Sequence, residues 1–236
     1  MTEPGDPTPA AQPAPPGRGH RPDLLGLFGA PEGGDGHDHG HGHDRGPVAD
    51  ASVRLARVSD APAVGLVQAA VWTSAYAGVL ADEVLADFQP PAFTKAWRAS
   101  LEAPPSAVHR LLVACAGEQV VGFAAVGPSS DPDAADGDGE VLVLGVHPGA
   151  RRNGHGSRLL NAAVDTVRGS GLTAMRAWVP SGATDIRGFL AGGGFAPDSA
   201  FRDRAVGAGP DDVLREVRFV VSIVPGDPAD PSLEEG

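Results

Sequence analysis

The stretch from residue 140 to residue 179 constrains the fold more than any other part of the sequence. Residues 140–146 form a nearly continuous apolar run, which is typical of a strand buried on both faces. A glycine-rich turn follows, and then apolar residues recur at helical spacing and predict one buried helix face: Leu159, Leu160, Ala163, Val164 and Val167. Residues 174–179 predict a further strand. Because a helix joins the two strands, we expect them to pair in parallel.

The segments on either side of this unit predict antiparallel pairs and more helices. Alternating or apolar runs predict strands at 53–58, 109–115, 120–126 and 214–223, and from residue 195 onward. Helical spacing predicts helices at about 60–78, 82–88, 93–101 and 184–190. The first helix is expected to bury Leu66 and Val67, and the acidic segment 131–139 to be an exposed loop. This order predicts one α/β (mixed α+β) domain with a mixed central sheet and helices on both faces.

Composition changes near residue 50 and again near residue 225. Residues 1–50 are rich in Pro and Gly and predict a disordered tail, 51–224 the folded domain, and 225–236 an acidic C-terminal tail. Four tail histidines alternate with Gly or Asp: His37, His39, His41 and His43. A solvated linker is the simplest interpretation of this tract, and weak binding of zinc, nickel or copper is the alternative. No metal site is expected in the folded domain.

Charge and cysteine content limit the partners and the compartment. The net charge of −12 argues against nucleic acid and anionic membranes as partners, and is compatible with an amine substrate. Cys115 is the single cysteine, so no intrachain disulfide can form. The N-terminal residues lack a basic and apolar leader, and no apolar stretch approaches the roughly 18 residues of a membrane span. These features favour a cytoplasmic protein.

The turn between the strand at 140–146 and the following helix predicts an anion site. Gly154 and Gly156 let the backbone approach a ligand closely, and the helix start presents free N–H groups and a positive dipole end. Arg151 and Arg152 add positive charge, and Ser157 adds a hydroxyl. The turn lacks the Gly-Lys-Ser/Thr ending of a Walker loop and the third glycine of a dinucleotide fingerprint. The residues predict a phosphate or pyrophosphate ligand, and a plain tight turn is the alternative.

Val146-His147-Pro148 followed by Arg151-x-x-Gly154-x-Gly156 resembles the acyl-CoA-binding motif of the GNAT superfamily of N-acyltransferases. The resemblance extends over about residues 53–223, and the order of elements matches that superfamily's fold. It implies an N-acetyltransferase that uses acetyl-CoA as co-substrate and an amine of a small molecule or protein as acceptor. Many members of the superfamily are dimers, so a homodimer is one expectation.

The resemblance also implies which residues contact acetyl-CoA. The pantetheine arm would lie along the strand at Leu144 and Val146. The pyrophosphate would lie on the turn and the start of the helix, which comprise Arg151, Arg152, Asn153, Gly154, His155, Gly156 and Ser157.

Members of the superfamily often use a glutamate on this strand as the base, which makes Glu140 the candidate here. A solvated carboxylate at a strand end is the alternative interpretation of Glu140. Trp72 and Tyr76 look like part of a segment found in one bacterial branch, and are expected either to line the acceptor pocket or to pack in the core.

The sequence departs from the superfamily at two positions. The usual tyrosine acid is replaced by Leu190, and the usual asparagine a few residues earlier by Ala183. Three interpretations remain open: the thiolate leaves unassisted, Tyr76 or water supplies the proton, or the domain is a non-catalytic acyl-CoA-binding regulatory module.

Overall fold

The structure, a computed structural model, describes residues 51–78, 80, 82–205 and 213–224. The histidine tract and both predicted tails lie outside these residues. The described strands are β1 (Ala51–Leu55), β2 (Arg110–Ala116), β3 (Gln119–Pro128), β4 (Asp138–Val146), β5 (Ala174–Pro180), β6 (Ala196–Ala205) and β7 (Val213–Ser222). The described α-helices are α1 (Ala61–Tyr76), α2 (Asp82–Ala86), α3 (Pro90–Glu102), α4 (His155–Gly169) and α5 (Thr184–Gly192). None of these helices is long and apolar enough to cross a membrane.

The strands form one mixed sheet in the order β1-β2-β3-β4-β5-β7-β6. β4 and β5 are parallel, as expected from the helix between them, and the remaining described neighbours are antiparallel. One core lies between the sheet and helices α1 to α3, and a second lies between the opposite face and helices α4 and α5. The predicted fold class is therefore confirmed.

The sheet opens at its centre, between β4 and β5. A bulge in β4 leaves Leu142 between Val141 and Val143, which pair with Val126 and Ala125 of β3. The described parallel ladder between β4 and β5 ends at the pair Val141 and Ala177. β4 nevertheless continues to Val146, and β5 continues to Pro180 beside β7. The last five residues of β4 therefore present a strand edge with no described ladder partner on the β5 side.

Helix α1 buries a different face from the one that the sequence predicts. Val67 is buried as expected, but Leu66 is 59% exposed. The buried set includes Gly65 and Gln68, and the Gln68 side chain accepts a hydrogen bond from Trp97 Nε1 of α3 at 2.5 Å. The helix packs against both the sheet and α3, so its buried surface is wider than a single stripe and is rotated away from Leu66.

The acidic segment 131–139 is exposed in its middle and buried at its two ends. Residues 132, 133, 135 and 136 are exposed as predicted, but Asp138 opens β4 and is 9% exposed, and the Asp131 side chain is 6% exposed. Both carboxylates pair with arginines of the neighbouring strands, which compensates the cost of removing them from water. The prediction was wrong for Asp131 and Asp138 because their arginine partners lie about 40 to 90 residues further along the chain.

The contact between α1 and α3 generates a first prediction. A Cβ atom at Gly65 would lie 2.8 Å from the Pro90 carbonyl oxygen, and backbone cannot move aside as a side chain can. We expect Gly65→Ala to lower the free energy of unfolding by about 1–3 kcal/mol, measured by urea denaturation of the full chain. The matched control is Gly188→Ala in α5, where nothing lies within 4 Å. It should be neutral or stabilising by up to about 1 kcal/mol. Equal stability of the two variants would contradict close packing at Gly65.

Candidate active site

The turn after β4 has a backbone that suits anion binding. A short 3-10 turn, Pro148–Ala150, follows the strand, and α4 begins at His155. Arg152 and Gly154 adopt φ angles of +63° and +75°, in the left-handed region, and Gly154 is the N-cap of α4. Glycine reaches this region without the Cβ clash of other residues. The first N–H groups of α4 have no partner inside the helix. The turn orients the start of α4 so that these N–H groups face the open side of the turn.

Hydrogen bonds within the chain hold this turn in place. The Arg151 side chain donates from Nε to the Val146 carbonyl oxygen at 3.3 Å. Arg158 donates from Nη1 to the Asn153 carbonyl oxygen at 3.1 Å. The turn is therefore preorganised by its own arginines, and Arg152, Asn153 and Ser157 are left exposed.

The electrostatics of this segment are uniformly positive. Between Glu140 and Asp165 the sequence contains three arginines and no carboxylate, although the whole chain carries a net charge of −12. The positive dipole end of the 15-residue helix α4 adds to this local field. A phosphate or pyrophosphate group fits the arrangement of free N–H groups and guanidinium ions.

His155 contributes to the turn through its backbone more than through its ring. The side chain is 5% exposed, and its Nδ1 has no hydrogen-bond partner among the described residues. Burial, followed by the charge of Arg158, lowers the pKa of His155 below its usual value. The ring is therefore neutral at pH 7 and adds no positive charge to the site.

Glu140 is buried next to the opening of the sheet. It lies two residues before the β4 bulge and is 6% exposed, so the solvated carboxylate considered above does not describe it. Ser129 donates a hydrogen bond from Oγ to Glu140 Oε2 at 3.2 Å. Burial, and then the negative charge of Asp131, raises the pKa of Glu140, and Arg202 opposes the shift. A raised pKa brings a carboxylate closer to the range in which it exchanges protons at neutral pH.

Glu140 forms part of the wall of a cavity of about 450 Å³ on the α3 side of the sheet. Its apolar wall comes from α3, the segment after it and the sheet, with Trp97, Leu101, Pro104, Leu111, Leu142 and Val143. Its polar wall comes from β2, β4, β6 and the segment before β2, with His109, Arg110, Glu140, Arg202 and Arg204. Apolar walls with a few convergent polar groups are typical of small-molecule sites.

A network of paired charges holds the loop beside Glu140, and sequence reasoning missed it. Asp131 accepts hydrogen bonds from Trp178 Nε1 at 2.9 Å and from Arg218 Nη1 at 3.0 Å. Asp133 bonds to Arg218 and Arg176. A signal was present in the sequence, because Arg176 and Trp178 alternate with small or apolar residues along β5. Such alternation indicates a polar face on an otherwise buried strand.

Trp72 and Tyr76 lie in the core. They are 0% and 1% exposed, and they pack against Phe93, Phe123 and Phe88. Burial, followed by the charge of Glu216, raises the pKa of Tyr76. These positions match the core alternative, and a role in an acceptor pocket stays a prediction.

The two departures from the superfamily pattern are structural positions here. Leu190 is 0% exposed and fills the core between α5 and the sheet. Ala183 precedes α5 as its N-cap and is 4% exposed. Neither residue has a side-chain group that could donate a proton.

Comparisons with known proteins agree with this geometry. Residues 75–191 match the model of the acetyltransferase (GNAT) family. A search of curated proteins found no match. Among solved structures, paia N-acetyltransferase from Thermoplasma acidophilum in complex with coenzyme A has a TM-score of 0.55 at 18% identity, covering 70% of this chain and 97% of its own. Two other solved structures have a similar fold.

The first is yncA from Salmonella typhimurium with its cofactor acetyl-CoA, with a TM-score of 0.53 at 20% identity, covering 77% of this chain and 98% of its own. The second is ribosomal-protein-alanine N-acetyltransferase from Brucella melitensis, with a TM-score of 0.56 at 23% identity. The match covers 72% of this chain and 98% of that protein's chain. Residues 75–191 belong to the acetyltransferase (GNAT) family, whose co-substrate is acetyl-CoA.

The site generates a second prediction, on the pKa of Glu140. Because the charge of Asp131 raises this pKa, Asp131→Asn should lower it. Titration of the side-chain carboxyl carbon by NMR would give the midpoint in each protein. The control is Asp136→Asn, an exposed residue of the same loop, which should leave the midpoint in place. An unchanged midpoint in Asp131→Asn would show that burial alone sets the pKa.

Proposed function

We propose that this protein transfers the acetyl group of acetyl-CoA to an amine acceptor, which is a small molecule or a protein amino group. One observation carries the proposal: the positive turn at 151–157 leads directly onto the open edge of β4, and a buried carboxylate lies at the other end of that strand. The family match supports the reaction class.

The residues present fit acetyl-CoA along its length. Its pyrophosphate would be held by the N–H groups of the turn and by Arg151 and Arg152. The amide groups of its pantetheine arm would bond to the free backbone edge at Leu144 and Val146. Bound there, acetyl-CoA supplies an acetyl thioester, whose C–S bond is exchanged for an N–C bond to the amine, with the thiol as leaving group.

Glu140 would act as the base that accepts the proton from the acceptor's ammonium or amine nitrogen. Its raised pKa favours this role, because a carboxylate at its usual pKa is a weaker base. The Ser129 hydroxyl donates to one carboxylate oxygen, and a hydrogen bond from the Ser130 backbone also holds the carboxylate in position.

A second candidate function is acyl-CoA binding without catalysis. The observation that favours it is Leu190, which packs in the core where the superfamily has a tyrosine acid. A thiol is acidic enough for its thiolate to leave without a protein acid, so the leucine is compatible with both functions. Acetyl-CoA binding without turnover on any amine in a broad panel would establish the second function.

A third prediction concerns acetyl-CoA binding. In a thermal-unfolding titration of the full chain, acetyl-CoA at about 100 times its Kd should stabilise the fold by roughly 2.7 kcal/mol. Arg152→Gln should weaken the affinity roughly tenfold, because it removes a charge-assisted contact. Arg98→Gln, an exposed arginine of α3, is the matched control and should bind as the parent does. Absence of any shift at millimolar acetyl-CoA in folded protein would refute the proposed function.

A fourth prediction concerns Glu140 as the base. Glu140→Gln should lower kcat by about 10²–10⁴ and leave the Kd for acetyl-CoA unchanged. A raised pKa means that the ionised form is present only at higher pH, so kcat/KM should fall as pH falls through a value above the usual 4.5 of a glutamate. This limb of the pH profile should be missing in Glu140→Gln. A fully active variant would exclude Glu140.

A further inference from the structure

Two arginines of β6 are held side by side on the wall of the Glu140 cavity. Arg202 and Arg204 lie two residues apart on one strand, so their side chains share a face of the sheet. Both donate from Nε to the same oxygen, Glu216 Oε2, at 2.6 Å and 3.3 Å. Glu216 is 0% exposed, and its other oxygen has no hydrogen-bond partner among the described residues. One buried carboxylate thus anchors two guanidinium groups.

The ends of these arginines remain available to a ligand. The Arg202 guanidinium lies 4.3 Å from the centre of the Trp178 ring, which fixes its plane. Its Nη1 atom comes no nearer to Asp131 than 3.9 Å, and Asp131 is already bonded to Arg218. Glu216 is the acidic partner of Arg204 in the part of the chain that the structure describes. The two side chains are 32% and 23% exposed, so a ligand in the cavity can reach them.

The arginines that line the cavity are only partly compensated by carboxylates. Arg202 and Arg204 share the single carboxylate of Glu216, and the Asp131 carboxylate, 3.9 Å from Arg202, is also bound by Arg218. Arg110 also lines the cavity, donates to the neighbouring carbonyl oxygen, and has no acidic partner among the described residues. A carboxylate on the ligand would add a partner for these guanidinium groups and could bind one of them through two hydrogen bonds.

The position of Glu140 relative to these arginines sets the shape of the ligand. Glu140, Arg202 and Arg204 line the same cavity of about 450 Å³. A small ligand whose amine faces Glu140 can therefore place an anionic group against Arg202 and Arg204. The apolar wall formed by Trp97, Leu142 and its neighbours would cover a hydrocarbon body. The volume of about 450 Å³ lies in the range of small-molecule sites.

We propose that the acceptor is a small amino acid or a close analogue, with an apolar side chain and a free carboxylate that Arg202 and Arg204 bind. This inference rests on the proposed function, because it places the acceptor amine beside Glu140. It narrows the acceptor from any amine to one that carries an anion close to the reacting nitrogen.

The experiment compares acceptors that differ only in the carboxylate. Leucine is paired with leucinamide and with 3-methylbutylamine, and methionine and phenylalanine are paired with their amides. Binding of each to the full chain is measured by isothermal titration calorimetry, and turnover with acetyl-CoA is measured as kcat/KM. We expect at least one acid to exceed its amide by about tenfold or more in both measurements, since the amide cannot form a charged pair with the arginines.

Variants assign the preference to the arginines. Arg204→Gln should reduce the ratio of acid to amide in kcat/KM by roughly tenfold, because the acid loses a charged partner that the amide does not have. The ratio is taken within one protein, so partial loss of folding cancels. Arg215→Gln is the matched control, because Arg215 lies on the neighbouring strand, pairs with Asp203 and does not line the cavity. The ratio of acid to amide in Arg215→Gln should equal the ratio in the parent protein.

The outcomes separate this inference from the proposed function. Preferential binding and turnover of acids, both lost in Arg204→Gln, support the inference. Preferential binding of acids without acetylation of any amine supports the carboxylate site at Arg202 and Arg204 and overturns the proposed function. Turnover of amines with equal rates for acids and amides overturns the inference and leaves the proposed function intact. Acetylation confined to protein amino groups, or no binding of any free amino acid, also overturns it.

Discussion

The structure depends on the point where the parallel ladder between β4 and β5 ends. Up to Val141 the two strands share hydrogen bonds, and beyond it the bulge at Leu142 turns β4 away from β5. β4 contributes to the cores on both faces of the sheet, and β5 packs into the core on the α4 and α5 side. The opening converts an interior strand into one with a free backbone edge, and the positive turn lies at the end of that edge. A single interruption in the sheet therefore positions both the proposed cofactor site and the candidate base.

The charge network on β5, β6 and β7 completes the site from the other side. Asp131 ties the β3–β4 loop to Arg218 and Trp178, and this keeps the loop against Glu140. The same aspartate influences the pKa of Glu140 through its charge. Asp131 therefore helps to hold the loop and, after burial, raises the pKa of Glu140, so a change that loosened the loop would also alter the protonation of the candidate base.

Patterns within short stretches of the sequence predicted the features that depend on residues close together in the chain. The parallel unit with α4, the turn at Gly154 and the mixed sheet follow from hydrophobic spacing and glycine positions, and the structure confirms the fold. Anion binding at this turn stays a prediction. The exposure of Leu66 could not be predicted, because it depends on which side of α1 meets α3. The pairing of Asp131 with Arg218 spans 87 residues, and the anchoring of Arg202 by Glu216 needs the register of β6 and β7. Such contacts carry no local signature.

The anchoring carboxylate also limits how this site can evolve. Glu216 is fully buried between two guanidinium groups, so replacing it alone would leave two cations competing for the same small volume. Replacing one arginine alone would leave the buried negative charge of Glu216 paired with one guanidinium group instead of two. The three positions are therefore energetically coupled, and a lineage can exchange them only together or through compensating changes nearby. Divergence of the acceptor preference within such a lineage should proceed in discrete jumps, with few viable intermediates.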